Sequence, residues 1–236
     1  MEIRAVDEYN NSGHLLYAGN FTGAFVRGRT KEEALAKFPA EISQYARWRG
    51  IPPDGTECSV RVVQESASEL PIDDGDTEVL FDSEKPALTP AEYTALKGLA
   101  LKSAEDFLAL YRSVPDKTGT SRAPRKTFYG DVPLTAEAMY RHTKEVNGYY
   151  FGEIRVPATQ EGDIYACRLR GFQMLEQQPD FLQNRAYRGS GGEEWSLRKV
   201  CRRFVWHDRI HAKAMYRMAV SLCGAGQVEN PFCFIV

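Results

Sequence analysis

Trp206-His207-Asp208-Arg209-Ile210-His211-Ala212-Lys213-Ala214-Met215-Tyr216-Arg217, WHDRIHAKAMYR, carries two of the four histidines of this 236-residue chain, four residues apart. It lies inside a longer pattern, Ser196 to Leu222, in which Leu197, Val200, Phe204, His207, His211, Ala214 and Met218 recur at steps of three and four. Such steps keep side chains on one face of a helix. The pattern predicts a long helix whose core-facing stripe holds two imidazoles where leucines are expected. An unpartnered imidazole in a core costs on the order of a few kcal/mol, so the stripe calls for a partner.

Three more helices are predicted upstream. Thr89-Pro90-Ala91-Glu92 joins an N-cap, a proline at the first helical position and an early acid, and opens a helix to about Tyr111. Others span about Thr135–Tyr150 and Ile164–Gln178, and the turn Gly189-Ser190-Gly191-Gly192 introduces the last. Ser113–Pro133 reads as a loop with a basic patch at Arg122, Arg125 and Lys126. Four helices with loops between them suggest an antiparallel bundle. In the second helix Leu134, Ala138, His142, Val146 and Tyr149 form a stripe with a histidine in its middle. If the two stripes face each other, His142 meets His207 and His211 to give three nitrogen ligands. The alternative is three histidines that merely pack in a core. His14 lies near a hairpin turn with no visible partner and reads as surface or strand packing.

The first 66 residues have a different character. Met1–Val6 is strand-like, Asp7–Gly13 is a polar turn, and His14–Tyr17 and Phe21–Arg27 suit a hairpin. Thr30-Lys31-Glu32-Glu33 fits a capping box that opens a helix through Leu35, Phe38, Ile42, Tyr45 and Trp48. Gly50 and Pro52-Pro53 end it, and Cys58–Val63 is a further strand. The expected fold is therefore α+β: a ββαβ domain over residues 1–66, an acidic linker or surface arm over 67–88, a four-helix bundle over 89–222 and a tail over 223–236. Asp73-Asp74-Gly75-Asp76 lacks the ligand spacing and closing glutamate of an EF-hand calcium loop.

Charge divides along the same line. Residues 1–86 hold 9 Lys and Arg against 16 Asp and Glu, and residues 87–236 hold 21 against 16. The second half thus favours an anionic ligand more than the first, while the acidic first half speaks against nucleic acid. No apolar run is long enough to span a membrane, and Met1-Glu2-Ile3-Arg4 is not followed by the apolar stretch of a signal peptide, so a cytoplasmic location is expected. Five cysteines without a CxxC pair suggest reduced, structural thiols. Cys201 stands six residues before His207, about 240° away round the helix, and is not expected to be a ligand.

Two resemblances sharpen these expectations. Tyr17-Ala18-Gly19-Asn20-Phe21 through Gly28-Arg29-Thr30-Lys31-Glu32-Glu33-Ala34-Leu35 resembles the HicB-like antitoxin domain, which implies a small interaction unit without catalytic residues. Trp195 to His211, WSLRKVCRRFVWHDRIH, resembles the last conserved segment of DinB-like proteins, a family that includes YfiT-type metal-dependent hydrolases and mycothiol- and bacillithiol-dependent transferases. There, one histidine of the second helix and an HxxxH pair of a later helix bind a divalent metal. The matching positions here are His142, His207 and His211. The same resemblance implies a homodimer.

Three imidazoles leave a coordination position open, as in catalytic rather than closed structural zinc sites. They suit Zn²⁺ or Ni²⁺ ahead of Fe²⁺ or Mn²⁺. Such a site serves hydrolysis or transfer of a low-molecular-weight thiol to a small electrophile, and the DinB-like resemblance implies the second. Glu145 and Asp208 are candidates for orienting an imidazole, and Trp206, Tyr149 and Tyr216 for lining a pocket. The basic pairs Arg198-Lys199 and Arg202-Arg203 read as a solvated helix face. The rival function is a non-catalytic, antitoxin-like interaction protein whose metal is structural.

Overall fold

In the computed structural model, which describes residues 1–52, 58–127 and 130–235, the first strand runs past the expected turn. β1 (Glu2–Asn10) continues to a two-residue turn at Asn11-Ser12, then pairs antiparallel with β2 (Gly13–Ala18). The acids that suggested a turn are buried and partnered. Asp7 faces His14 Nδ1 at 3.0 Å, so His14 has a carboxylate partner after all. Glu8 accepts from the backbone N–H groups of Glu78 (2.9 Å) and Val79 (3.2 Å) and from the Thr77 hydroxyl. Buried carboxylates persist only with such donors.

β3 (Phe25–Gly28) pairs with β2, and the chain crosses to β4 (Ser59–Ala67), which lies parallel to β1, giving the order β3-β2-β1-β4. The unit therefore holds a three-stranded meander before its crossover, one strand more than the ββαβ reading. The crossover helix is also split, into α1 (Lys31–Leu35) and α2 (Phe38–Arg49). Pro39, which lacks an N–H, stands at the start of α2 and cannot continue α1. Thr30 caps α1 through Glu33 N (3.2 Å), and Gly50 closes α2 in a left-handed conformation (φ 62°). Pro53, the other expected terminator, lies outside the described residues.

Alternation along the strands buries both sheet faces. Ile3, Ala5, Leu16 and Ala18 join Phe38, Ile42 and Tyr45 of α2 in one core. Val6, Leu15 and Tyr17 face the other way, onto Ile72, Val79, Phe81 and Trp206. The stretch 67–88, expected as a linker or arm, begins with the last residue of β4, supplies three of those residues and is packed rather than free.

The helical half follows the expected order. α3 (Pro90–Ser113) begins at a reciprocal capping box, Glu92 N to Thr89 Oγ1 at 3.2 Å and Thr89 N to Glu92 Oε2 at 2.8 Å. α4 (Ala136–Glu153), α5 (Ile164–Leu175) and α6 (Leu197–Cys223) are capped by Thr135, Asp163 and Ser196. α6 packs on α3 and α4, which both pack on α5. In the C-terminal tail Val228, Phe232 and Phe234 are buried in the core, with the Phe232 ring tilted against Trp48 at 5.2 Å between centroids.

The basic pairs of α6 are the largest departure from expectation. Lys199, Arg202 and Arg203 are buried, and their donors satisfy the carbonyls of the irregular 77–87 segment, which has no ladder of its own. Lys199 Nζ donates to Glu78 O (2.7 Å) and Glu194 O (2.6 Å), Arg202 to Val79 O (2.9 Å) and the Glu84 carboxylate (2.5 and 3.0 Å), and Arg203 to Thr77 O (3.2 Å). Arg198 does the same at the rim, reaching Ala87 O at 2.9 Å. On the neighbouring flank, Gly23 (φ +87°) lets the β2–β3 loop touch α6: a Cβ there would stand 2.4 Å from Val205 Cγ1. The sheet is thereby held against the turn of α6 that carries His207. Among the described residues, no helix is long and apolar enough to cross a membrane.

Candidate metal centre

His142 of α4 and His207 and His211 of α6 come together. One ring nitrogen from each lies within 4.8 Å of the others, and the ring centroids stand 4.4 to 5.0 Å apart. The three side chains form a group able to hold a metal ion. His142 Nε2 and His207 Nε2 are separated by 3.2 Å. Tetrahedral coordination at about 2.0–2.1 Å places neighbouring nitrogens about 3.3 Å apart, so this pair already has the spacing a zinc-like ion requires.

The helix faces differ from the expected stripes in one respect. On α6 the stripe is buried as predicted except at Ala214, which is half-buried on the cavity wall, and His207 and His211 are each 8% exposed. On α4 the core face is Ala136, Met139, Thr143, Asn147 and Tyr150, one residue on from the Leu134–Tyr149 stripe. His142 and Val146 sit on its shoulder, and Tyr149 is exposed. That rotation carries His142 to the wall of a cavity of about 450 Å³, which His207 and His211 also line. The site is a pocket wall, not a sealed core.

The electrostatics favour neutral, lone-pair-bearing imidazoles. Burial, followed by the neighbouring His211 and His142 and the cations Arg203 and Arg168, holds His207 well below its ordinary value. Burial with the nearby charges of His142 and Arg122 lowers His211 to about 3. His142 is lowered by burial, which Glu145 opposes. Deprotonated nitrogens are what a metal ion needs. His207 Nδ1 is moreover buried without a hydrogen-bond partner among the described residues, so packing holds this ring, with Tyr150 edge-on at 6.1 Å.

Other expected participants go elsewhere. Asp208 turns away from His207: its carboxylate takes both guanidinium ends of Arg168, one at 3.0 Å, and the Ser103 hydroxyl at 2.6 Å, all buried. Glu145 is exposed and bears on His142 through its charge. Tyr216 does not line the cavity, whereas Tyr149 and Trp206 do. Cys201 is buried apart from the histidine group, as expected.

Sequence reasoning overlooked four contributors. Phe25 and Arg27 of β3 close the cavity from the sheet side. Asp76, from the dismissed DDGD run, lines it too, and burial raises its carboxyl above the usual range. Arg203 lines it one turn before His207, a spacing of four that was readable. Nothing local pointed to Phe25, Arg27 or Asp76, because they reach the site only through tertiary packing.

Comparison with protein-family models, with curated proteins and with solved structures gives no match to this chain. The geometry therefore carries the functional argument.

Proposed function

We propose that this protein is a metal-dependent enzyme in which His142, His207 and His211 hold one divalent ion, Zn²⁺ or Ni²⁺ ahead of Fe²⁺ or Mn²⁺, and in which a low-molecular-weight thiol or water attacks a small electrophile. The observation that carries the reading is three neutral imidazoles gathered within 4.8 Å on the wall of an open cavity of about 450 Å³. A closed structural site would need a fourth protein ligand, and among the described residues no Cys, Asp or Glu joins the three histidines. The likeness of Trp195–His211 to DinB-like proteins supports the same reading, and the likeness of the sheet unit to HicB-like domains supports a role for it in assembly or regulation.

When bound, the ion supplies Lewis acidity that lowers the pKa of a thiol or water in the open position. The chain does the rest. Packing holds the His207 ring, the Phe25 and Trp206 side chains form an apolar wall, and Asp76, on the wall of the same cavity, is a carboxylate that can take the proton leaving the nucleophile.

Cobalt-substituted protein tests the thiol branch. Addition of a small thiol is expected to produce a sulfur-to-metal charge-transfer band that His142→Ala lacks. Protein holding one cobalt per chain whose spectrum ignores thiols would contradict that branch and leave hydrolysis.

A further inference from the structure

The wall around the three histidines has an unbalanced charge. Six cations line the cavity, Arg27, Arg122, Arg125, Arg203, Lys213 and Arg217, against two carboxylates, Asp74 and Asp76. Two of the cations are occupied: Arg125 pairs with Asp74 at 3.1 Å, and Arg27 donates to Asp73 O at 3.1 Å. Arg122, Lys213 and Arg217 form no ion pair among the described residues. Arg203 is the most buried of the six. It is 9% exposed, gives one donor to Thr77 O and lies against the rings of Tyr150 (5.3 Å), Trp195 (5.7 Å) and Trp206 (4.6 Å). No carboxylate pairs with it among the described residues, so its charge adds to the potential of the cavity it lines.

Every cation in a confined, low-dielectric pocket repels the others and raises the local potential. Three buried acids of the first half are engaged elsewhere: Glu8 with the connecting segment, Glu84 with Arg202 and Glu41 with Arg209. What is left beside the histidines is a site with positive charge and a volume within the range of about 300–1,000 Å³ that small-molecule pockets span.

We propose that the cavity binds a small organic oxyanion, a carboxylate- or phosphate-bearing molecule, with its anionic group against Arg203 and the Arg122, Lys213 and Arg217 cluster and its other end at the three histidines. The proposal names the substrate class for the metal reading and rests on it only for the reactive end; the oxyanion subsite belongs to the protein with or without metal. The sheet unit then has a part in recognition, since Phe25 and Arg27 complete the wall that the helices leave open.

The test is calorimetric titration of the full chain at low ionic strength with succinate, inorganic phosphate and neutral succinamide, with metal content measured on the same samples. Succinate or phosphate is expected to bind and succinamide not, and which of the two binds tells carboxylate from phosphate recognition. Lys213→Ala/Arg217→Ala, at positions near the surface that the fold tolerates, is expected to weaken binding about tenfold or more while metal content stays the same. Binding of the anions no tighter than succinamide, or equal affinity in the double variant, would overturn the proposal. Oxyanion binding by protein that takes up no metal would keep it and remove the three-histidine reading instead.

Discussion

His142 and His207, 65 residues apart in sequence and on different helices, approach Nε2 to Nε2 at 3.2 Å. At that distance one neutral ring can donate its Nε2–H to the other, whereas an ion held between them and His211 would engage a lone pair of each of the three rings. The pair is the joint between α4 and α6 around which the pocket is built.

Because His142 lies on the shoulder of α4 and not in its core, His142→Ala should lower the stability of metal-free protein by only about 1 kcal/mol or less. Urea denaturation of both proteins in chelator measures the difference. A loss of several kcal/mol would make His142 a packing residue.

The depressed histidines predict the acid limb of stability. In the unfolded chain these groups titrate near 6.5, while His207 stays well below that in the fold and His211 falls to about 3. Between those values the unfolded state binds protons that the folded state refuses. The contribution is thus fully present above about pH 6.5 and is lost as pH falls toward 3. Metal-free wild type should lose more stability between pH 7.5 and pH 5 than His207→Gln/His211→Gln does, and equal slopes in denaturant titrations would contradict the assignment.

Arg202 should matter far more than its surface-like sequence context suggests. Arg202→Ala leaves the Glu84 carboxylate buried without its partner and frees Val79 O, at a cost of about 3–5 kcal/mol. Arg122→Ala, on the exposed loop, should change stability by about 0.5 kcal/mol or less. Chemical denaturation of the two variants side by side checks the contrast.

Asp208 separates structural from metal-orienting roles. Asp208→Ala strands Arg168, which is 0% exposed, and should cost about 3–5 kcal/mol while the folded fraction keeps the metal stoichiometry of wild type. Loss of metal at intact stability would return Asp208 to His207.

Much of the helical half was legible because its start signals are local. Thr89, Thr135 and Ser196 each cap a helix with their own side chain, and the HxxxH spacing needs only the helical period. The stripe of α4 was misplaced because its true core face carries Thr143 and Asn147, and Asn147 is buried to receive Arg168 Nε at 2.9 Å. Polarity there reads as surface until the partner on α5 is known. The basic pairs of α6 misled in the same way, since their acceptors are backbone carbonyls of a segment without periodicity. A signal did exist: Val205, Trp206 and Ala212 fall off the Leu197–Met218 stripe, so α6 is apolar on more than one face and had to be enclosed. Glu8 shows the limit for the sheet, since a buried acid inside β1 is recognisable only with Thr77, 69 residues away, beside it.

Elemental analysis of tag-free protein, purified without chelator and compared with His142→Ala/His207→Ala, shows whether the three histidines hold an ion. About one divalent ion per chain is expected in the wild type and none in the double variant. No metal in either protein after reconstitution with Zn²⁺ and Ni²⁺, or equal metal in both, would contradict a three-histidine centre.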